Sequence, residues 1–350
     1  MKVLLYSNWT YDFVDFILYD GLHRAIGNKN LFSYVPKHGK MPQYIKGNSS
    51  TKTPVLNYVY EEDIINQMDK FDLIIMLSSS VLNSDFNSVI NKKTSSLKIF
   101  VDGTDDFFVR RIYKHPEIDY YFKREIYDHI TTPAAIEWLV RYSYEQFKIS
   151  RHLTNRRWFS KWNFPIGISL SKKFSKLKPF PLTVLKPSAQ TDKNKGTNQF
   201  MFVGTYNNPE RKRYVETALN ILKHSKIKNY YVGQRNKSFS NNDYFNMLKN
   251  SRIGLSLRGT GYDTYRYWEI PAHSAALLSQ RLPLVIPNDF VDEESALYFS
   301  NVEELKRKMY KYLIKTDEWR TIAKNGNKLY LKYHTPENRV KKLILDRCNK

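Results

Sequence analysis

Residues Ile253–Ala276 read IGLSLRGTGYDTYRYWEIPAHSAA, and this stretch decides the fold. Ile253–Leu257 is a short apolar run of the kind that forms a buried parallel strand. It breaks into Arg258-Gly259-Thr260-Gly261, and from Thr264 the spacing turns helical. Strand, glycine-rich loop and helix in that order make up the unit with which α/β proteins hold phosphates. The helix is predicted over Thr264–Ser279 with a kink at Pro271, followed by a strand at Leu284–Ile286.

The same alternation extends on both sides. Before this stretch, Phe200–Val203 reads as a strand, Glu210–His224 as a helix, Tyr230–Val232 as a strand and Tyr244–Asn250 as a helix. After it come three helical segments, Val302–Leu313, Glu318–Tyr333 and Pro336–Asp346. In the first half, Val3–Tyr6, Val55–Tyr60, Leu73–Leu77 and Leu97–Val101 read as strands. Phe13–Ile26, ending at the cap glycine Gly27, reads as a helix, as do Glu61–Lys70 and Val81–Asn91. From Ser169 to Gln199 the pattern dissolves into a polar, basic, proline-punctuated stretch. The predicted architecture is therefore α/β with two Rossmann-like lobes: residues 1–168, a linker at 169–199, a second lobe at 200–335 and a terminal helix at 336–350. That helix either crosses back to the first lobe or caps the second through Val340, Leu343 and Leu345.

Chemistry concentrates where strands meet loops. In Arg258–Ala276, backbone N–H groups of the glycine loop and a helix beginning near Asp263 or Thr264 suit a diphosphate, with Arg258 and Arg266 as counter-charges. Glu269 shares a helix face with Arg266 and His273. Its two oxygens suit the vicinal hydroxyls of a ribose, while an Arg266–Glu269 ion pair with a packed His273 fits the same spacing. Gly204 and Thr205 follow another strand. Asp102, Asp105 and Asp106 follow Leu97–Val101, placed either to deprotonate a hydroxyl or to cap a turn. His23, inside a helix, is a weaker candidate base. No Asp-x-Asp spacing and no His or Cys cluster offers a metal site, so the expected reaction needs no metal or cofactor.

Composition narrows the classes. Lys and Arg number 56 against 34 acidic residues, a net charge of +22, which points to an anionic partner or to a Lys- and Asn-rich genome bias. Arg151–Trp162 mixes Arg151, Arg156 and Arg157 with Trp158 and Trp162, as an acceptor or membrane-surface patch or as a solvated helix with buried aromatics. With one cysteine, Cys348, no internal disulfide is possible. No run of 18 apolar residues occurs, so a cytoplasmic protein is expected, in contact at most with the inner-membrane surface. The 26 tyrosines and 20 phenylalanines argue against a disordered chain.

The second half resembles the glycosyltransferase group 1 superfamily, in the branch of the CgeB-like spore-maturation proteins. The resemblance rests on Phe202-Val203-Gly204 with Arg211, Tyr231-Val232-Gly233, and Gly259-x-Gly261-Tyr-Asp263-Thr264-Tyr265-Arg266-x-x-Glu269-Ile-Pro-Ala272. Glu293-Glu294-Ser-Ala296, Asn325-Gly326, His334-Thr335 and Arg339 extend it. In the first half Phe71–Ile74, Val101–Asp106 and Tyr121–Glu125 look similar to that branch. The resemblance implies a GT-B fold, two Rossmann-like lobes facing an interlobe cleft. It implies a UDP- or GDP-linked sugar donor held by the second lobe, with Glu269 on the ribose and Gly204 and Gly259–Gly261 beside the diphosphate. Arg211, Thr205, Asp263, Thr264, Tyr265 and His273 border that site. Two positions depart from the pattern: Gly261 stands where relatives often carry a second Glu, and His273 where they favour a small residue or Cys.

The expected activity is metal-independent hexosyl transfer to a hydroxyl of a glycan, of anionic or membrane-associated type. The rivals are transfer to DNA or protein hydroxyls, a basic nucleic-acid-binding protein, and a Rossmann-type epimerase or oxidoreductase. The last lacks a Gly-x-Gly-x-x-Gly turn after the first strand, and no nucleic-acid motif supports the binding protein.

Overall fold

The computed structural model describes residues 1–8, 13–35, 57–104, 108–126, 162–165, 176–184, 198–205, 209–233, 240–259 and 261–348. The chain divides into two compact units. The first is Met1–Pro181 with Pro283–Ile286 and Leu343–Lys350; the second is Leu182–Leu282 with Pro287–Lys342.

The first unit is built on a parallel sheet. Its strands are β1 (Val3–Tyr6), β2 (Leu31–Val35), β3 (Asn57–Tyr60), β4 (Leu73–Leu77), β5 (Leu97–Asp102), β7 (Tyr120–Lys123) and β9 (Leu177–Pro179), in the order β3-β2-β1-β4-β5-β7-β9. A separate antiparallel pair joins β6 (Phe108–Arg110) to β8 (Trp162–Pro165). Every residue of β1 and β4 is buried, which is why these central strands read as unbroken apolar runs. Helix α1 (Phe13–Ile26) follows β1 and stops at Gly27, whose φ of 74° with ψ of 162° lies in a region open essentially to glycine alone. Tyr6, Tyr34, Ile74, Phe100 and Tyr121 form the centre of the core.

The second unit holds a five-stranded parallel sheet. Its strands are β10 (Asn198–Val203), β11 (Tyr230–Gly233), β12 (Ser251–Ser256), β13 (Ala276–Gln280) and β14 (Leu297–Phe299), ordered β11-β10-β12-β13-β14. Around it lie α2 (Pro209–His224), α3 (Asn241–Lys249), α4 (Tyr265–Ala272), α5 (Val302–Met309) and α6 (Trp319–Leu329). The strand order reverses between β10 and β12, and such a switch point opens a crevice at the carboxyl ends of the strands. At Gly254 in β12 a Cβ would stand 2.7 Å from Cγ1 of Ile270, so α4 packs closer to this strand than any side chain would permit.

Three expectations are corrected. The helix predicted over Thr264–Ser279 ends at Ala272, and Ala276–Gln280 is strand. The stop is a Schellman motif: the Ala275 N–H donates to the Ile270 carbonyl and the Ser274 N–H to the Pro271 carbonyl, both at 3.1 Å. Its left-handed position is Ser274, φ 64°, rather than glycine, so the sequence carries no visible stop signal. Leu284–Ile286 is not a strand of the second sheet. It groups with the first unit, where the Val285 N–H donates to the Ile126 carbonyl at 2.7 Å. Finally, the expected linker contains built structure: Leu177–Pro179 pairs with β7, and Phe180, Leu182, Thr183 and Val184 are buried. Lysines and prolines between these apolar residues hid the pattern. Among the described residues no helix is long and apolar enough to cross a membrane.

Candidate functional site

At the switch point of the second unit, β10 runs into Gly204-Thr205 and β12 into Leu257-Arg258-Gly259. Arg211, in the first turn of α2, ties the two loops together. Its Nε donates to the Arg258 carbonyl at 2.9 Å and its Nη1 to the Thr205 carbonyl at 3.1 Å. Burial, then the charges of Arg266 and Arg258, bring its guanidinium down to about 10. Arg211 reaches the Arg258 carbonyl and the space beside Gly259, and Arg266 lies beside Gly204, so three arginines share this crevice.

The three are held differently. Arg258 is ion-paired to Glu210, Nε to Oε2 at 2.7 Å, and lies over the Tyr262 ring. The other oxygen of Glu210 accepts from Gln280 Nε2 at 3.0 Å. Arg266, in the first turn of α4, lies over the Phe202 ring with its Cζ 5.6 Å from the centroid. It makes no ion pair among the described residues, and its buried Nε has no hydrogen-bond partner there. Gly204 leaves the space for it: a Cβ would stand 3.4 Å from the guanidinium and 3.0 Å from the Phe202 ring.

The glycine loop behaves differently from the expectation. The Gly259 N–H donates to the Gly261 carbonyl at 2.8 Å, and the Gly204 N–H to the Gly233 carbonyl at 3.0 Å. The first bond closes a turn and the second continues the β10–β11 ladder, so neither amide is presented to a phosphate. The glycines supply room, and the positive groups facing the crevice are side chains and the start of α4. Thr264 caps that helix with extended backbone and no side-chain bond to its first turn; its Oγ1 lies 3.3 Å from Ser256 Oγ. Tyr265 is the first helical residue.

Glu269 lies one turn further along α4. Its Oε2 accepts from the Tyr244 hydroxyl at 2.7 Å, and the Arg266–Glu269 ion pair left open by the spacing is not formed. His273 turns away from the Glu269 carboxylate. It stacks on Phe245, ring centroids 4.7 Å apart, and its Nδ1 donates to the Glu269 main-chain carbonyl at 2.9 Å. Burial lowers the His273 imidazole to about 4, so it is a neutral packing residue at physiological pH. Asp263 is also corrected from a ligand-facing role. It is buried, accepting from the Leu182 N–H at 2.6 Å and from Trp268 Nε1 at 2.7 Å, and it pins the start of α4.

In the first unit Asp102 is 0% exposed. Its Oδ2 accepts from the Tyr121 hydroxyl at 2.5 Å and lies 3.4 Å from Lys123 Nζ, while Oδ1 accepts from Thr104 Oγ1 at 2.7 Å. A carboxylate so enclosed holds the β5 terminus, which fits the turn-capping alternative better than the base. Asp105, Asp106, Arg151, Arg156, Arg157 and Trp158 lie outside the described residues, as does the side chain of Trp162, which begins β8. His23 is in the last turn of α1. At this unit's own switch point, between β1 and β4, sequence reasoning overlooked two carboxylates. Asp15 accepts from Ser7 Oγ and from Ser79 Oγ, the latter at 3.1 Å. Asp85 accepts from the hydroxyls of Tyr6 at 2.6 Å and Tyr34 at 2.9 Å. Their partners are 51 to 79 residues away in the chain or lie in neighbouring loops, so no local spacing announced them. Glu210, Tyr244 and Phe202 were missed in the second unit for the same reason. Among the described residues no group of three or more His, Cys, Asp or Glu is placed to hold a metal ion.

Residues 191–344 match the family described as Glycosyl transferase-like. No curated protein sequence matches the chain. In structure the chain is similar to a glycosyltransferase from Rickettsia africae, TM-score 0.57 at 9% identity over 99% of this chain and 97% of that one. It is likewise similar to HepE of Anabaena solved with UDP-glucose, TM-score 0.56 at 8% identity over 100% of both chains. These neighbours are GT-B glycosyltransferases, and the likeness identifies the fold: α/β, of the GT-B class, on two parallel sheets.

Proposed function

We propose that the protein is a glycosyltransferase that takes a sugar from a nucleoside-diphosphate donor and transfers it to a hydroxyl. The observation that carries this reading is Arg266. A guanidinium held on an aromatic ring, beside a glycine and among two further arginines, with no anionic partner among the described residues, is built to meet one. The donor's diphosphate fits there, at the carboxyl ends of β10 and β12. Glu269, one helical turn after Arg266 and braced by Tyr244 of α3, is suited to the ribose hydroxyls. As the glycosidic bond breaks, charge accumulates on the departing diphosphate. Arg266, Arg258 and the amino end of α4 would stabilise that charge without a metal ion.

UDP is our first choice of donor nucleotide, since the Anabaena neighbour was solved with UDP-glucose. The residue pattern through Arg266 and Glu269 supports the CgeB-like branch and, with the +22 charge, a glycan acceptor of anionic character. Acceptor recognition falls to the first unit. There the half-buried Asp85 is the candidate carboxylate, while Asp15, 1% exposed, is as enclosed as Asp102.

The test is a thermal-shift comparison of UDP, GDP, NAD and duplex DNA, followed by diphosphate release from UDP-sugars with and without EDTA. Stabilisation by a nucleoside diphosphate and turnover that survives EDTA are expected. Stabilisation by NAD or DNA alone would overturn the reading. Activity lost to EDTA and restored by manganese would remove its metal-free part.

A further inference from the structure

We propose that the first unit carries a second anion site, specific for a phosphate group, at the amino-terminal ends of β5, β7 and β9. A cavity of about 430 Å³ opens there, lined by Leu97, Asp119, Tyr120, Lys176, Lys178 and Arg347. Leu97 is the first residue of β5 and Tyr120 the first of β7; Lys176 precedes β9 and Lys178 lies within it. This is the end of the sheet opposite the crevice at which α/β units bind their substrates, so its ligand is neither donor nor acceptor of the transfer.

Three cations line this cavity against one carboxylate. None of the three makes an ion pair among the described residues, and the buried Nε of Arg347 has no hydrogen-bond partner there. Lys176 is fixed by a 2.6 Å bond from Nζ to the Ile118 carbonyl, which leaves two of its donors for a ligand. Asp119 is turned to its own sheet, where Oδ2 accepts from the Lys98 N–H at 2.8 Å. Burial, followed by the charge of Arg347, holds the Lys178 ammonium below its ordinary value. Like charges gathered in one cavity are relieved by an anion. A guanidinium fork beside two ammonium groups matches the several oxygens of a phosphate better than the two of a carboxylate. That phosphate belongs either to a small soluble phosphate ester or to a phospholipid headgroup.

Two probes on the full-length protein separate the sources: calorimetric titration with inorganic phosphate, and co-sedimentation with vesicles of phosphatidylcholine containing phosphatidic acid. Lys178→Gln and Arg347→Gln, singly and together, are compared with Lys223→Gln/Lys228→Gln, which removes the same charge from an exposed helix end and the loop after it. The double variant at the cavity should lose tenfold or more in phosphate affinity, with the control unchanged. Loss of vesicle binding by the same variant assigns the phosphate to a lipid headgroup; vesicle binding unchanged while free phosphate is lost assigns it to a soluble ester. Phosphate affinity that falls in Arg266→Gln but not at the cavity would overturn the proposal, as would wild-type protein that binds neither probe. If the double variant does not fold, the two single variants should each lose about threefold, and unchanged affinity in both would also overturn it.

Discussion

Arg266 lies over the ring of Phe202, two residues before Gly204 on the neighbouring strand, and no carboxylate among the described residues pairs with it. Arg258, in the same crevice, is neutralised by Glu210 at 2.7 Å. The two arginines therefore have unequal surroundings, although the sequence presents them as equivalent.

That inequality can be measured. Arg266→Gln should weaken UDP binding by the value of a charge-assisted hydrogen bond, about 1.5–3 kcal/mol, or roughly 10- to 150-fold. Arg258→Gln should cost less in affinity, because it also releases Glu210, and its effect should fall partly on stability. Calorimetric titration of UDP against the two variants checks the order. Equal losses, or a larger loss at Arg258, would reassign the principal anion contact.

Glu269 yields a paired prediction with Tyr244. Glu269→Gln keeps an oxygen for the Tyr244 hydroxyl, so the fold should survive while ribose recognition weakens by about 1.5–3 kcal/mol. Tyr244→Phe removes only the brace and should produce a smaller loss. A 2′,3′-dideoxy nucleotide should bind both Glu269→Gln and wild type with nearly equal affinity, which separates ribose contact from a general disturbance.

The outline of the fold was legible because its central strands are buried on both faces and its long helices have clear periods. Val3–Tyr6, Leu73–Leu77 and Phe13–Ile26 match their predicted limits. What escaped were elements whose signal lies in tertiary contacts. β9 is three residues long and sits among lysines and prolines, and it is strand only because β7 offers an edge. The helix stop after Ala272 depends on a serine in a left-handed conformation, which no propensity scale marks. Arg258, Arg266 and Glu269 could be picked out by residue type and order. Their different surroundings could not, because these are set by Glu210, Phe202 and Tyr244 on other elements.

The helix stop leads to a stability prediction. Ser274 holds φ at 64° and its Oγ has no hydrogen-bond partner among the described residues. The left-handed conformation costs an L-residue about 1–2 kcal/mol, and glycine loses roughly 0.5–1 kcal/mol more chain entropy than alanine on folding. Ser274→Gly should therefore raise stability by about 0.5–1 kcal/mol. Gly254→Ala should act in the opposite sense, by about 1–3 kcal/mol, because its Cβ meets Ile270 at 2.7 Å. Denaturant midpoints of the two variants should move apart, and a destabilised Ser274→Gly would show that its hydroxyl serves some purpose there.

His273 gives the pH dependence. Burial lowers its imidazole to about 4 in the folded chain, against about 6.5 unfolded. Between those values the unfolded chain binds the proton and the folded chain does not, so this group's contribution to stability is lost as pH falls. The loss runs at about 1.4 kcal/mol per pH unit and amounts to about 2 kcal/mol at pH 5. Asp289 works in the opposite direction. Burial raises its carboxyl to about 6, so the folded chain takes up a proton first and regains stability as pH falls from about 6 towards 3.8. The wild-type profile alone mixes the two groups. His273→Phe removes one of them and retains an aromatic ring for Phe245. Its stability relative to wild type should rise by about 2 kcal/mol between pH 7 and pH 5, whatever constant offset the lost bond to the Glu269 carbonyl introduces. Urea denaturation of both proteins at the two pH values measures the difference, and a pH-independent gap would mean that His273 titrates normally and is open to solvent.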